Sequence, residues 1–137
     1  MLKTLNKKRL ELSEDSFSKE LPKYIQLRSR RFLTPIHVAQ TAAKWLTEDG
    51  NKRILDIGAG VGKFCIAGAH CSNSFFFGIE YRKSLARIAN DLILKYQLDN
   101  AFVQYGNIVE IDFRNFDAFY LYNPFFENLV SSMRLNN

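Results

Sequence analysis

The sequence predicts an α/β protein with a Rossmann-like parallel sheet and flanking helices. Three observations carry that expectation. Short β-rich runs alternate with segments of helical period. One run, Ser74-Phe75-Phe76-Phe77-Gly78-Ile79-Glu80, is apolar at consecutive positions, as a strand buried on both faces would be. The unusual residues (the turn after Ile57, Glu80, Asn107 and Asn123) all fall at the carboxyl ends of the expected strands, where sheets of this kind bind ligands.

Residues 1–33 read as a basic, partly helical extension, and 34–137 as the sheet domain. In the extension, Leu10, Leu12, Phe17, Leu21, Ile25 and Leu27 supply apolar contacts without one clean period, and Pro22 breaks or starts a helix. Thr34 suits a helix cap and Pro35 a first turn. Ile36, Ala39, Ala42, Ala43 and Leu46 then repeat at helical spacing until Gly50 stops the run. The period changes at Arg53, where Arg53-Ile54-Leu55-Asp56-Ile57 reads as a strand and Gly58 opens a glycine-rich turn. Lys63 to about His70 reads as a helix of small residues, and 74–80 as the next strand. Residues 82–97 carry the clearest helical stripe: Leu85, Ile88, Ala89, Leu92, Ile93 and Tyr96. Ala101 to Tyr105 is a third strand and Ala118 to Tyr122 a fourth, ended by Asn123-Pro124, with a final helix expected over 125–134.

A chain of 137 residues is one domain's worth and can bury a core without disulfide staples. Apolar residues at 47% and charged residues at 24% exclude an intrinsically disordered chain. No apolar run approaches the roughly 20 residues that span a bilayer, so no membrane partner is expected. The basic start lacks the apolar stretch of a secretory signal. Cys65 and Cys71 are too few for a disulfide framework and are expected as reduced thiols of a cytoplasmic protein. Residues 1–35 hold nine Lys and Arg against four Asp and Glu, an excess that equals the whole net charge of +5. Lys7, Lys8 and Arg9 form one basic cluster and Arg28, Arg30 and Arg31 another, which would attract a polyanion or line a solvated face.

The turn reads Asp56-Ile57-Gly58-Ala59-Gly60-Val61-Gly62. A dinucleotide fingerprint would need glycine where Lys63 stands, and a phosphate loop would need a longer spacing before that lysine. Phosphate cradling is therefore disfavoured. Glycines let backbone approach a ligand closely, and Asp56 brings a carboxylate that suits an amine. Glu80 can accept hydrogen bonds from two vicinal hydroxyls, as on a ribose. The pocket so described takes a ligand with an amine at one end and a ribose at the other.

These residues resemble a known family. Ile54 to Gly62 closely matches the first motif of class I S-adenosylmethionine-dependent methyltransferases, Phe77-Gly78-Ile79-Glu80 looks like their second, and Tyr105-Gly106-Asn107-Ile108 their third. The resemblance covers roughly residues 32–126. It implies S-adenosylmethionine as cofactor, with the backbone of Gly58, Ala59, Gly60 and Gly62 passing the methionine end and Asp56 ordering that region. It implies Glu80 on the ribose hydroxyls, Asn107 and Ile108 at the adenine, and Tyr81 or Ile108 packed on its face. The family more often has Asp where Asn107 stands. Phe32-Leu33-Thr34-Pro35 is similar to a segment that leans on the methionine end in many amino-methylating members, which adds Thr34 to the candidate residues.

Tyr122-Asn123-Pro124-Phe125-Phe126 is similar to the Asn-Pro-Pro-Phe type of motif in members that methylate amino groups of planar systems. There the Asn accepts from the target amine and the aromatic ring stacks on the acceptor, which is catalysis by positioning. Asn123, Pro124 and Phe126 are the implied catalytic residues, with Phe125 in place of the second proline. The expectation is methyl transfer to a nitrogen of a nucleic acid, protein or small amine. Two other readings stand beside it: a module that binds the cofactor without transfer, and a basic nucleic-acid-binding protein working through its first 35 residues. His37 and His70 show no ligand constellation, so no metal site is expected. The four strands correspond to the order 3-2-1-4 of a fold that has seven. An open edge at the fourth strand would favour self-association.

Overall fold

The structure, a computed structural model, describes residues 10–26, 34–50 and 52–121. Four strands alternate with helices and join in one parallel sheet: β1 (Arg53–Ile57), β2 (Phe75–Glu80), β3 (Ala101–Tyr105) and β4 (Ala118–Leu121). Their order is β3-β2-β1-β4, as the sequence predicts. The helices are α1 (Glu14–Lys19), α2 (Ile36–Leu46), α3 (Lys63–Cys71) and α4 (Lys83–Lys95). Two short 3-10 turns, Ile108–Glu110 and Phe113–Asn115, lie in the connection from β3 to β4.

Strand side chains alternate between the two faces. Ile54, Phe76 and Val103 lie on the face that carries the helices and are almost fully buried, with Ala101, Ala118 and Tyr120 packed against the same cluster. Gly62 lies close to Ala89 of α4 and to Val103 on this side, and Phe64 and Phe76 meet edge to face. The opposite face is met by the β3–β4 connection, whose Phe116 packs on Phe77 and whose Phe113 packs on Phe119. Phe75, Phe102, Phe119 and Leu121 stay exposed there.

The N-terminal extension reaches the core of the sheet. Phe17, Leu21 and Ile25 are buried in the same core as the sheet, and each such side chain is worth about 1.5–3 kcal/mol by burial alone. A reciprocal capping box starts α1, in which Ser13 and Ser16 each accept from the other's backbone N–H. Both basic clusters, Lys7 to Arg9 and Arg28 to Arg31, lie outside the described residues.

One expected cap is corrected. Pro35, not Thr34, is the N-cap of α2, and it makes no side-chain cap bond. The Thr34 hydroxyl is instead held by the Tyr120 hydroxyl of β4 at 2.7 Å, and the N–H of Ile36 donates to the Glu14 carboxylate. A long-range carboxylate thus replaces the local hydroxyl cap.

Candidate functional site

The site is built where β1 and β2 end side by side. After Ile57 the chain turns through Gly58, Gly60 and Gly62, whose φ values of +71°, +59° and +78° lie in the left-handed region. L side chains avoid that region, so the G-x-G-x-G spacing follows from the backbone path. The N–H groups of Gly58 and Ala59 both donate to the Ile79 carbonyl at 3.0 Å, which ties the loop to β2. Gly78 lets the loop lie flat: a Cβ there would stand 2.6 Å from the Cβ of Ala59. Gly62 then caps α3, its carbonyl accepting from Ile66.

Glu80 closes the arrangement. Its side chain is fully buried, and its Oε1 accepts the N–H of Gly60 at 2.8 Å. The loop and the acid, 20 residues apart in sequence, are therefore in direct contact. Oε2 accepts the backbone N–H of Arg82 at 2.9 Å. The Arg82 side chain forks over the same carboxylate, Nε to Oε2 at 2.9 Å and Nη2 to Oε1 at 3.4 Å. Sequence reasoning passed over Arg82, although an opposite charge two positions beyond a strand-ending acid was the available signal.

Asp56 lies beneath the loop rather than on its surface. It is 4% exposed, and its Oδ2 accepts from the Cys65 thiol at 3.6 Å. Burial pushes its carboxyl up to about 8, the thiol bond opposes this, and the neighbouring charge of Glu80 adds to it. At neutral pH Asp56 keeps its proton, so it shapes the loop without offering a charge to a ligand's amine. The same surroundings push the Cys65 thiol well up.

Tyr81 is exposed, with the Arg82 guanidinium 5.3 Å from its ring centroid. The N–H of Gly106 donates to the Glu80 carbonyl at 3.0 Å, which brings the third motif alongside the first two. Asn107 is exposed, and its side-chain oxygen accepts from Val109 at 3.2 Å to start a 3-10 turn. Ile108 beside it is half-buried. Thr34 is buried and reaches β4 through Tyr120, whose ring stacks on Phe64 at 3.7 Å. The structure thus brings together Asp56, Gly58, Ala59, Gly60, Gly62 and Glu80, with Tyr81, Asn107 and Ile108 on the rim and Thr34 at the β4 side. Asn123, Pro124 and Phe126 lie outside the described residues.

Lys63, first residue of α3, has a structural role that its place beside the glycine turn did not reveal. It is buried and donates to Glu14 at 2.9 Å, so the carboxylate that caps α2 also anchors the end of the glycine loop.

Comparison with solved structures finds the same fold. An S-adenosylmethionine-dependent O-methyltransferase from Thermotoga maritima matches with a TM-score of 0.57 at 26% identity, over 71% of this chain and 38% of that one. An RNA methyltransferase from Salinibacter ruber, in complex with S-adenosyl-L-homocysteine, matches at 0.55 and 20% identity, over 74% of this chain and 58% of that one. A tRNA (uracil-54, C5)-methyltransferase from Pyrococcus abyssi, also with S-adenosyl-L-homocysteine, matches at 0.52 and 24% identity, over 61% and 20%. The chain therefore spans between 20% and 58% of the length of these three proteins. No family model and no curated protein sequence matches the chain. The fold is the Rossmann-like fold of class I S-adenosylmethionine-dependent methyltransferases.

Proposed function

We propose that the chain binds S-adenosylmethionine across the ends of β1 and β2 and transfers its methyl group to a nitrogen acceptor. The observation that supports this most is the bond from the Gly60 N–H to Glu80 Oε1. It joins a side-chain-free loop to a buried acid at the strand ends, and so suits a ligand that is slender at one end and rich in hydroxyl donors at the other. The residues fit the cofactor: the left-handed Gly58 and Gly60 put main chain without side chains at the strand ends, and Glu80 is an acceptor fixed by backbone on both oxygens.

When bound, S-adenosylmethionine supplies an electrophilic methyl group on a sulfonium centre. The protein's part is to bind and orient. Gly58 to Gly62 would take the methionine end, Glu80 the ribose, and Tyr81, Asn107 and Ile108 the adenine rim. Asn123, with Pro124 and Phe126, would receive the acceptor amine and aim its lone pair.

The test is calorimetry with S-adenosylmethionine and S-adenosylhomocysteine, followed by tritiated-methyl transfer to DNA, RNA, protein and small-amine acceptors. Micromolar binding that is lost in Gly60→Leu and in Glu80→Ala supports the pocket; equal affinity in all three proteins refutes it. Binding without label transfer to any acceptor would make the chain a cofactor-binding module instead.

A further inference from the structure

Glu80 has two kinds of hydrogen-bond partner. One kind is fixed: the Gly60 N–H on Oε1 and the Arg82 N–H on Oε2. The other kind is mobile in principle: the forked Arg82 side chain, with one nitrogen on each oxygen. The Glu80 side chain is 0% exposed while that of Arg82 is 27% exposed, so the guanidinium is the solvent-side cover of the acid. A carboxylate has about four lone-pair sites, two per oxygen. Backbone uses one on each oxygen. The fork uses the other on each. Two paired donors aimed at two oxygens are also what a vicinal diol presents.

We propose that Arg82 is a specificity-determining residue that occupies the diol subsite of the nucleoside site and must swing off Glu80 before a ribose can seat. This rests on the cofactor-binding reading above. Removal of the fork leaves both backbone bonds in place and frees one acceptor position on each oxygen of Glu80. The same movement uncovers the face of Tyr81 that the guanidinium now overlies, so the sugar and base positions open together. Arg82 is thus a built-in competitor that sets the free-ligand concentration at which the site fills, because a ligand must displace an existing state to bind.

Calorimetry with S-adenosylhomocysteine on the wild-type chain, Arg82→Ala and Arg82→Lys tests this. Arg82→Ala is expected to bind roughly 1.5- to fivefold tighter, the range of a solvent-facing ion pair. Arg82→Lys, with a single point donor in place of a fork, falls between. Methylguanidinium at millimolar concentration should compete with S-adenosylhomocysteine for Arg82→Ala and leave the wild-type affinity unchanged. Weaker or equal binding by Arg82→Ala, or no competition by methylguanidinium, overturns the proposal while the cofactor reading stands. Absence of binding by every form overturns both.

Discussion

The carboxamide of Asn90 holds both backbone groups of Val103: its Nδ2 donates to the Val103 carbonyl at 2.6 Å, and its Oδ1 accepts the Val103 N–H at 3.0 Å. Val103 is the middle residue of β3, an edge strand, and such edges otherwise offer unpaired groups to other chains. A side chain of α4 thus stands in for a fifth strand. Asn90→Ala leaves two backbone groups without their partner and should cost about 1–3 kcal/mol. A lowered thermal midpoint checks it.

Glu14 serves two masters, the N–H of Ile36 and the ammonium of Lys63. Burial pushes its carboxyl up, but the bonds from Lys63 and Ile36 and the charges of Lys63 and His37 outweigh this and hold it below the ordinary 4.5. Its folded pKa is depressed, so its stabilisation is present above 4.5 and is lost as pH falls through the folded value. Glu14→Gln should flatten that acid limb and lower stability near neutrality by about 0.2–1 kcal/mol, since solvent screens the half-exposed carboxylate. Urea melts across the acid range decide it; an unchanged acid limb argues against the pair.

Asp56 moves stability in the opposite sense. Its folded pKa of about 8 lies above the ordinary 3.8, so the native state holds an extra proton between those values. Stability from this group therefore declines as pH rises from 3.8 towards 8 and levels off above. Asp56→Asn, neutral at every pH, should remove the decline. Melts of the two proteins should diverge most on the alkaline side.

Gly62 is both left-handed, at φ +78°, and crowded: a Cβ there would stand 2.9 Å from that of Ala89. Gly62→Ala should cost about 1–2 kcal/mol from the backbone, with overpacking added. It should also weaken S-adenosylhomocysteine binding, since the loop rides on this residue. A variant as stable and as tightly binding as wild type would contradict the geometry described.

β4 pairs with β1 along one side, and its outward Phe119 and Leu121 are exposed beside it. The chain is expected to self-associate through this edge as concentration rises, and Phe119→Lys with Leu121→Lys should suppress it. Sedimentation velocity over a concentration series gives the answer; a monomer throughout discards the expectation.

Strand order and element type were legible in the sequence because period and punctuation agreed: β3 spans the expected residues, and α3, β2 and α4 differ from expectation by a residue or two at their ends. The loop and Glu80 were legible because three spaced glycines and a strand-ending acid each need a backbone reason. Interactions between distant segments were not. Thr34 was drawn to Tyr120, 86 residues on, and Lys63 to Glu14, 49 residues back, and no local pattern marks either pair. The core contacts of the N-terminal extension were not legible for the same kind of reason: Phe17, Leu21 and Ile25 lack one period, yet converge on the core. Deletion of residues 1–31 would therefore unseat core residues along with charge, and charge reversal at Arg28, Arg30 and Arg31 is the cleaner trial of polyanion binding.

The short fourth strand has a consequence for the order in which the molecule comes apart. Among the described residues its four residues pair with β1 only, steadied on the inner side by Tyr120 against Phe64 and Thr34. On warming, this strip should peel first, while the central pair, clamped on either flank, persists. The β4 flank would fray before the flank formed by β2 and β3, so a gently heated sample would keep the Gly60–Glu80 junction after its fourth strand has let go.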